Sequence, residues 1–226
     1  MRNEGGFTLI ELLVSIATAL VVLTAILMMT TVATHNQVRI ADRVDANQRA
    51  RPVLTRIVDN LHSGCVAPRV APVLAGSTGT SMSFVSKSGS AVSPTPDKRV
   101  VTLSGTTLTE SIYPATSGAA PSWNYSATSS STQTLLTDVS APSGVMFRYY
   151  DYVNGSLSTT PLPATGSGLS ATNAARTAYV TISLTASPAG GASTLDANSP
   201  IVLSDSVSLR LESAGPVPSQ ENLPCT

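Results

Sequence analysis

The chain has 226 residues, which leaves enough for a single domain with its own core once the N-terminal third is set aside. Charge is sparse and balanced, with 13 basic and 13 acidic residues, and the basic residues do not cluster into the stripe that binding to a phosphate backbone requires. Composition therefore does not favour direct nucleic-acid binding.

A long uncharged run begins directly after Glu11. Residues 12–34 read LLVSIATALVVLTAILMMTTVAT and contain no charge, glycine or proline. As a helix the run would be about 35 Å long, enough to cross a bilayer. A cleaved secretory signal fits less well, because the run is too long, the preceding residues are weakly basic and no clear A-x-A-like site follows. We therefore predict a membrane-spanning helix.

Glu11 is the charge at the head of this run. Isolated ionisable groups in a bilayer segment are costly, so one interpretation is a functional group with a partner. The other is that Glu11, roughly 6 Å of helix rise beyond Phe7, lies shallow enough for its carboxylate to stay in the lipid interface. Taken alone, the carboxylate leaves both interpretations open.

The side of the membrane on which the domain lies is weakly specified. Arg2 precedes the apolar run and five arginines follow it by residue 56, so a positive-inside count puts the domain in the cytoplasm. Cys65 and Cys225 match no metal spacing, and their simplest use is a disulfide in an oxidising compartment. Two unrelated buried thiols are the alternative.

Residues 35–64 keep helical character after the apolar run. Apolar residues form one stripe at Leu54, Ile57, Val58 and Leu61, and a weaker stripe before it at Val38, Ala41 and Val44. Asp45 and Arg49 have the supportive i, i+4 spacing. Pro52 predicts a kink, or a break and restart. Ser63 and Gly64 predict the end of the helix, with glycine in a left-handed conformation.

Beyond Cys65 the apolar period changes to two. Alternating segments at 145–150, 180–185 and 207–212 predict half-buried antiparallel strands, with shorter candidates at 81–86 and 99–112. Asn154-Gly155 predicts a two-residue hairpin turn. Polar segments at 87–97, 114–134 and 160–175 predict loops.

The amphipathic part of the helix must bury its apolar stripe, and a sheet with one apolar face must bury that face. We therefore predict an α+β fold in which a long N-terminal helix, membrane-spanning in its first half and amphipathic in its second, packs on an antiparallel β-sheet domain.

No residue pattern indicates catalysis. The chain lacks a GxSxG elbow, an HExxH motif and a phosphate-binding glycine loop. His62 and Cys65 form an HxxC pair, but no second pair completes a zinc site. Trp123 lies in a polar segment, where packing is the expected role rather than an exposed contact. We expect a non-enzymatic protein with no metal and no cofactor.

The segment GGFTLIELLVS at residues 5–15 resembles the N-terminal signature of type IV prepilins. That signature has a short hydrophilic leader ending in glycine, then phenylalanine, then a glutamate five residues into the mature chain and a long apolar helix. Beyond it, ARPVLTRIVDNLHSG, GVMFRYYDYVNGSL, TAYVTISLTA and DSVSLRLES resemble, more loosely, the helix end and strands of minor pilins of the PilW and GspJ-like group.

The resemblance implies a domain order and a processing pathway. Residues 1–6 would be the cleaved leader, 7–34 the transmembrane and assembly helix, 35–64 its amphipathic continuation, and 65–226 the β-rich extracytoplasmic domain. A prepilin peptidase would cut between Gly6 and Phe7, and the new Phe7 amine would be methylated. In the assembled fibre, Glu11 would face the Phe7 amine of a neighbouring subunit.

The resemblance also implies partners and a location. These are other pilin or pseudopilin subunits, the prepilin peptidase, an inner-membrane assembly platform and, before assembly, membrane lipid. The chain would cross the cytoplasmic membrane once with its domain outside, and then enter a surface pilus or a periplasmic pseudopilus.

Two departures from major pilins favour a minor subunit near the tip or in an initiation complex. Residues 7–34 lack the helix-breaking proline or glycine of many fibre-forming pilins, and the chain is larger than a typical major pilin. A DNA-uptake pseudopilin is a second hypothesis, which the neutral charge mildly disfavours. A third is a membrane-anchored extracytoplasmic adhesin or enzyme, for which Glu11 would be dispensable.

Overall fold

The apolar run and the amphipathic segment form one helix. The computed structural model describes residues 8–65, 70–87, 96–119, 122–164, 166–189 and 200–209. Helix α1 spans Leu9–His62 and is long and apolar enough to cross a membrane. Residues 9–38 are all exposed, so the first half of α1 projects from the domain without being covered by it.

The second half of α1 packs on the domain through one face. Its buried residues are Ala46, Ala50, Leu54, Ile57 and Leu61, and Val58 packs partly buried beside them. The main predicted stripe is therefore confirmed. The weaker stripe was wrong, because Val38, Ala41 and Val44 are exposed. Extended backward at helical spacing, the packed face passes instead through the half-buried Asp42 and Arg39.

Helix α1 continues through Pro52, so the break and restart considered for this position do not occur. Pro52 is exposed, as is Gln48, whose carbonyl loses its helical donor to the proline ring. Water can bond that carbonyl on the exposed face, while Ala50 and Leu54 hold the opposite face on the domain.

The helix ends where the sequence predicted, but for a different reason. The Ser63 amide donates to the Asp59 carbonyl at 3.0 Å, and the Ser63 hydroxyl donates to the Asn60 carbonyl at 2.8 Å. Gly64 does not adopt a left-handed conformation. A Cβ at this position would instead lie 2.8 Å from the Leu61 carbonyl oxygen, so glycine permits a close backbone approach.

The remaining described elements are mostly short strands. They are β1 (Ser81–Ser86), β2 (Asp97–Ser104), β3 (Thr107–Ala119), β4 (Ser122–Tyr125), β5 (Ser131–Thr137), β6 (Val139–Ser140), β7 (Phe147–Tyr150), β8 (Tyr152–Val153), β9 (Ser156–Leu157), β10 (Tyr179–Ala186) and β11 (Ile201–Ser208), with a 3₁₀ turn at Pro142–Gly144 and helix α2 at Ala171–Arg176.

Within the described residues, all strand pairs are antiparallel and form two sheets and a hairpin. One sheet has the order β1-β2-β3, with β4 and β5 both pairing with β3. In the other, β10 pairs with β11, β6 and β7. Helix α1 contacts β1 and β5 of the first sheet and β10 and β11 of the second. The predicted α+β fold, a long helix followed by an antiparallel β-sheet domain, is thus confirmed.

Most predicted strands are present. The strand at 81–86 is confirmed, and Val180, Ile182 and Leu184 of β10 are fully buried as their alternation predicted. The segment 99–112 falls within two strands, β2 and β3, separated by a turn at Gly105. Strand β11 begins at Ile201, earlier than predicted, and residues 210–212 of the predicted strand lie outside the described residues.

The hairpin prediction is confirmed by backbone geometry. Asn154 and Gly155 join β8 to β9 with φ angles of 53° and 80°. Positive φ at both central residues is what a type I′ turn needs, and Asn-Gly tolerates it.

Two predicted loops contain regular structure. Strand β4 and the first residues of β5 lie within 114–134, and most of α2 lies within 160–175. In the predicted loop 87–97, residues 88–95 lie outside the described residues, and β2 begins at Asp97.

Candidate functional site

Glu11 lies in the first turn of α1 and is exposed. The Thr8 hydroxyl donates to its carboxylate at 3.4 Å, and the structure describes no ion pair for it. A negative charge in the first turn is stabilised by the helix dipole. Gly6 and Phe7, the predicted cleavage residues, lie outside the described residues, so the contact expected between Glu11 and an amine stays a prediction.

The hydroxyl groups of the apolar run are satisfied within the helix. Ser15 donates to the Leu12 carbonyl at 2.8 Å, and Thr24 donates to the Leu20 carbonyl at 2.8 Å. Four further threonines between Glu11 and His35 make equivalent bonds: Thr18, Thr30, Thr31 and Thr34. Because no water is available in a bilayer core, this pattern makes the run compatible with lipid or with a neighbouring apolar helix.

One face of this exposed run carries a shallow groove. It is lined by Ser15, Thr18, Ala19, Val22, Leu23 and Ile26. Small residues such as Ser15 and Ala19 allow the backbone of a second helix to approach closely. This face of α1 is therefore compatible with the close approach of a second helix.

Cys65 is buried just beyond the end of α1. It is 4% exposed, and its amide donates to the Val85 carbonyl of β1 at 2.8 Å. Trp123 packs partly buried against Cys65 and Val85, as its expected role in packing predicted. Cys225 lies outside the described residues, so the disulfide stays a prediction.

A buried polar cluster joins α1 to the first sheet, and the sequence reasoning missed it. Glu110 of β3 is 2% exposed, and its two carboxylate oxygens accept three hydrogen bonds. Arg56 of α1 donates to Oε2 at 2.7 Å, and Arg99 of β2 and Asn60 of α1 donate to Oε1 at 2.8 and 2.9 Å. Burying this carboxylate is tolerable because it is paired and fully hydrogen-bonded.

A signal for this cluster is present in the sequence. Glu110 lies on the same strand face as Leu108 and Ile112, and Arg99 lies on the same face as Val101 and Leu103. Each charge therefore stands in the apolar row of a strand, where it needs a buried partner. The register of β2 and β3 places Val101 opposite Glu110 and Arg99 opposite Ile112, two residue pairs further along the ladder and on the same face.

A second polar cluster lies at the start of β2. Lys98 Nζ lies 4.5 Å from the centre of the Tyr113 ring and 5.8 Å from that of Tyr125, within cation–π range. Burial, reinforced by the nearby Asp97 carboxylate, raises the pKa of Tyr125 to about 12. Burial also raises the pKa of Asp97, an effect that Arg99 opposes.

The described residues contain no group of three or more histidine, cysteine, aspartate or glutamate side chains that could hold a metal ion. His62 is exposed on the last turn of α1, and Cys65 is buried beyond it. The HxxC pair therefore gains no further ligand within the part of the chain that the structure describes.

Comparison with known proteins identifies the N-terminal segment. Residues 1–33 match the family described as the prokaryotic N-terminal methylation motif. The match includes Gly6, Phe7 and Glu11 and most of the apolar run. A search of the curated proteins found no match to the chain. The motif, together with the exposed helix and the β-sheet domain, supports a protein of the type IV pilin-like or pseudopilin-like kind.

Proposed function

We propose that this chain is a minor type IV pilin or pseudopilin. It is a structural subunit, not an enzyme, and it assembles through the first half of α1 into a pilus or pseudopilus. Its place is near the tip or in the initiation complex. The observation that carries the proposal is the match of residues 1–33 to the methylation motif, on a helix whose first half is exposed and predominantly apolar.

The exposed surface of α1 requires an apolar environment. Residues 9–34 carry Glu11 as their only charge, and the six hydroxyls among them are satisfied inside the helix. Lipid provides that environment before assembly, and neighbouring helices provide it afterwards. The groove at Ser15 and Ala19 gives a neighbouring helix a place to approach.

Glu11 supplies the specificity of assembly in this proposal. A carboxylate buried among helices is costly unless a cation pairs with it, and breaking such a pair by removing one partner is strongly destabilising. The amine created at Phe7 by cleavage on a neighbouring subunit is the partner that the motif implies. The chain then becomes competent to assemble only after its leader has been removed.

The minor role is supported by the helix itself. Residues 7–34 contain no proline or glycine, so α1 has no built-in point at which its membrane half would melt. A subunit used in few copies does not need the helix flexibility of one that fills a long fibre.

Mass spectrometry of the protein extracted from membranes tests the proposal. We expect a chain that starts at a methylated Phe7 in cells with an active prepilin peptidase. In cells that lack the peptidase, the chain should start at Met1. An intact Met1 in the presence of the peptidase contradicts the assignment and favours the membrane-anchored adhesin or enzyme.

A further inference from the structure

We propose that the Glu110 cluster is a rotational lock that sets the orientation of the β-sheet domain around α1. The lock consists of Arg56 and Asn60 on the helix, and of Glu110 with Arg99 on the sheet. Because α1 is one continuous helix, the lock sets which side of the β-sheet domain lies above a given face of the exposed first half of α1.

The sheet half of the lock is held in place by three strands. Arg99 of β2 donates through Nη1 to Glu110 of β3 at 2.8 Å and through Nε to the Ser86 hydroxyl of β1 at 2.8 Å. All three side chains are buried. The sheet residues alone therefore hold the Glu110 carboxylate in position, without any contact from α1.

The helix half reaches this carboxylate from two positions one turn apart. Arg56 donates to Oε2 and Asn60 to Oε1, so each oxygen accepts one bond from α1. Arg56 also donates to the Gln133 side chain of β5 at 3.0 Å, so the donors of α1 reach a second strand besides β3. Shifting the helix by one residue turns these donors by about 100° and removes both bonds to Glu110.

Apolar packing constrains small rotations of α1 less than hydrogen bonds do. The buried face begins with Ala46 and Ala50, whose small side chains present a smooth surface to the sheets, and continues with the larger Leu54, Ile57 and Leu61, which exclude large rotations. Directional hydrogen bonds to a fixed acceptor discriminate among the small rotations that apolar contacts tolerate.

A weaker polar contact lies two turns earlier on α1. Arg49 donates to the Thr137 hydroxyl at 3.1 Å and lies 3.8 Å from the Asp138 carboxylate. Its partners are more exposed than Glu110, at 34% for the Asp138 side chain against 2%. Exposed pairs contribute little. The Arg56 side chain is itself 42% exposed, so the buried acceptor Glu110 is what distinguishes this cluster from the Arg49 contact.

The lock is tested on the full-length chain in detergent, independently of any fibre. Spin labels on noncanonical residues at positions 48 and 153, both exposed, report the distance between α1 and the β8–β9 hairpin by pulsed electron spin resonance. The wild type should give one narrow distance distribution. The double variant Arg56→Met, Asn60→Leu leaves the Arg99–Glu110 pair intact and should broaden the distribution or add a second distance.

The matched control is Asn47→Leu, Arg51→Met, which changes the same residue types at the same spacing on the exposed face of α1. It should keep the narrow distribution. If the helix-side double variant folds with a distribution as narrow as the wild type, the lock is refuted, even if its melting temperature is lower. Should that variant not fold, Arg56→Met alone is judged by the same criterion.

The consequence for assembly rests on the proposed function. In cells, the helix-side double variant should be cleaved and inserted normally yet enter fibres less efficiently than the control. A broadened distribution, combined with a wild-type chain that keeps Met1 despite an active peptidase and enters no fibre, would refute the proposed function and leave the lock standing.

Discussion

Glu11 is the residue on which the two interpretations of the N-terminus differ. It is exposed in the isolated chain, and the Thr8 hydroxyl is its described side-chain contact. If its role is to pair with an amine in the fibre, Glu11→Ala should leave membrane insertion unchanged and reduce incorporation. Breaking a buried pair costs about 3 kcal/mol or more, which corresponds to roughly a hundredfold loss. Immunoblotting of sheared fibres against membranes measures the ratio.

Glu4→Ala is the control for that measurement, because it makes the same substitution in the predicted leader and leaves the mature chain unchanged. Normal incorporation of Glu11→Ala would return Glu11 to the alternative of a side chain that only reaches the lipid interface.

Tyr125 gives a pH dependence at the residue scale. Burial raises its pKa to about 12, against about 10 in an unfolded chain. Between these values the folded state keeps a proton that the unfolded state loses, so the Tyr125 contribution to stability is full below pH 10 and declines as pH rises toward 12. Thermal melts from pH 9 to 11.5 should show a shallower decline for Tyr125→Phe than for the wild type. Equal slopes would contradict the shift.

At the scale of the elements, substitutions at Ile57 and Ile40 test which part of α1 packs on the β-sheet domain. Ile57 is 1% exposed and Ile40 is 63% exposed. Ile57→Ala should lower the free energy of unfolding by about 2–5 kcal/mol through lost burial and the cavity left behind. Ile40→Ala makes the same change on the uncovered part of the helix and should stay within about 0.5 kcal/mol. Denaturant unfolding in detergent measures both, and equal losses would contradict the packing described.

The elements that the sequence predicted are those with a strong periodic pattern. From Val180 to Ala186, strand β10 alternates strictly, and its aliphatic residues are all buried. Strand β5 reads STQTLLT, which has no such alternation, because most of its side chains remain exposed and pairing with β3 defines it. Local pattern identifies strands that cover a core, whereas strands fixed by their neighbours need the sheet to be known.

The break considered at Pro52 did not occur for a related reason. Proline removes one helical hydrogen bond, and that loss is local. The buried residues on either side, from Ala46 to Leu61, bind the helix to both sheets over four turns. Tertiary packing thus overrides the local preference that the sequence displays.

At the scale of the whole molecule, the sequence predicted the N-terminal features but not the Glu110 cluster. Gly6, Phe7 and Glu11 are recognised by their spacing along the chain. The Glu110 cluster joins residues from α1, β2 and β3 that are distant in sequence. A charge in an apolar row signals that a partner exists, but identifying it requires strand register and helix rotation, which one sequence does not specify.

A disulfide between Cys65 and Cys225 would tie the end of α1 to the C-terminal residues. Cys65 is buried directly after the helix, where its backbone bonds to β1. A bridge to Cys225 would close most of the domain into one loop, worth roughly 5 kcal/mol at most in the chain-entropy model. Digestion without reductant should release one cross-linked peptide that contains both cysteines. Labelling of both thiols in the unreduced, denatured protein would show that no bridge forms, and would remove the argument for an oxidising compartment.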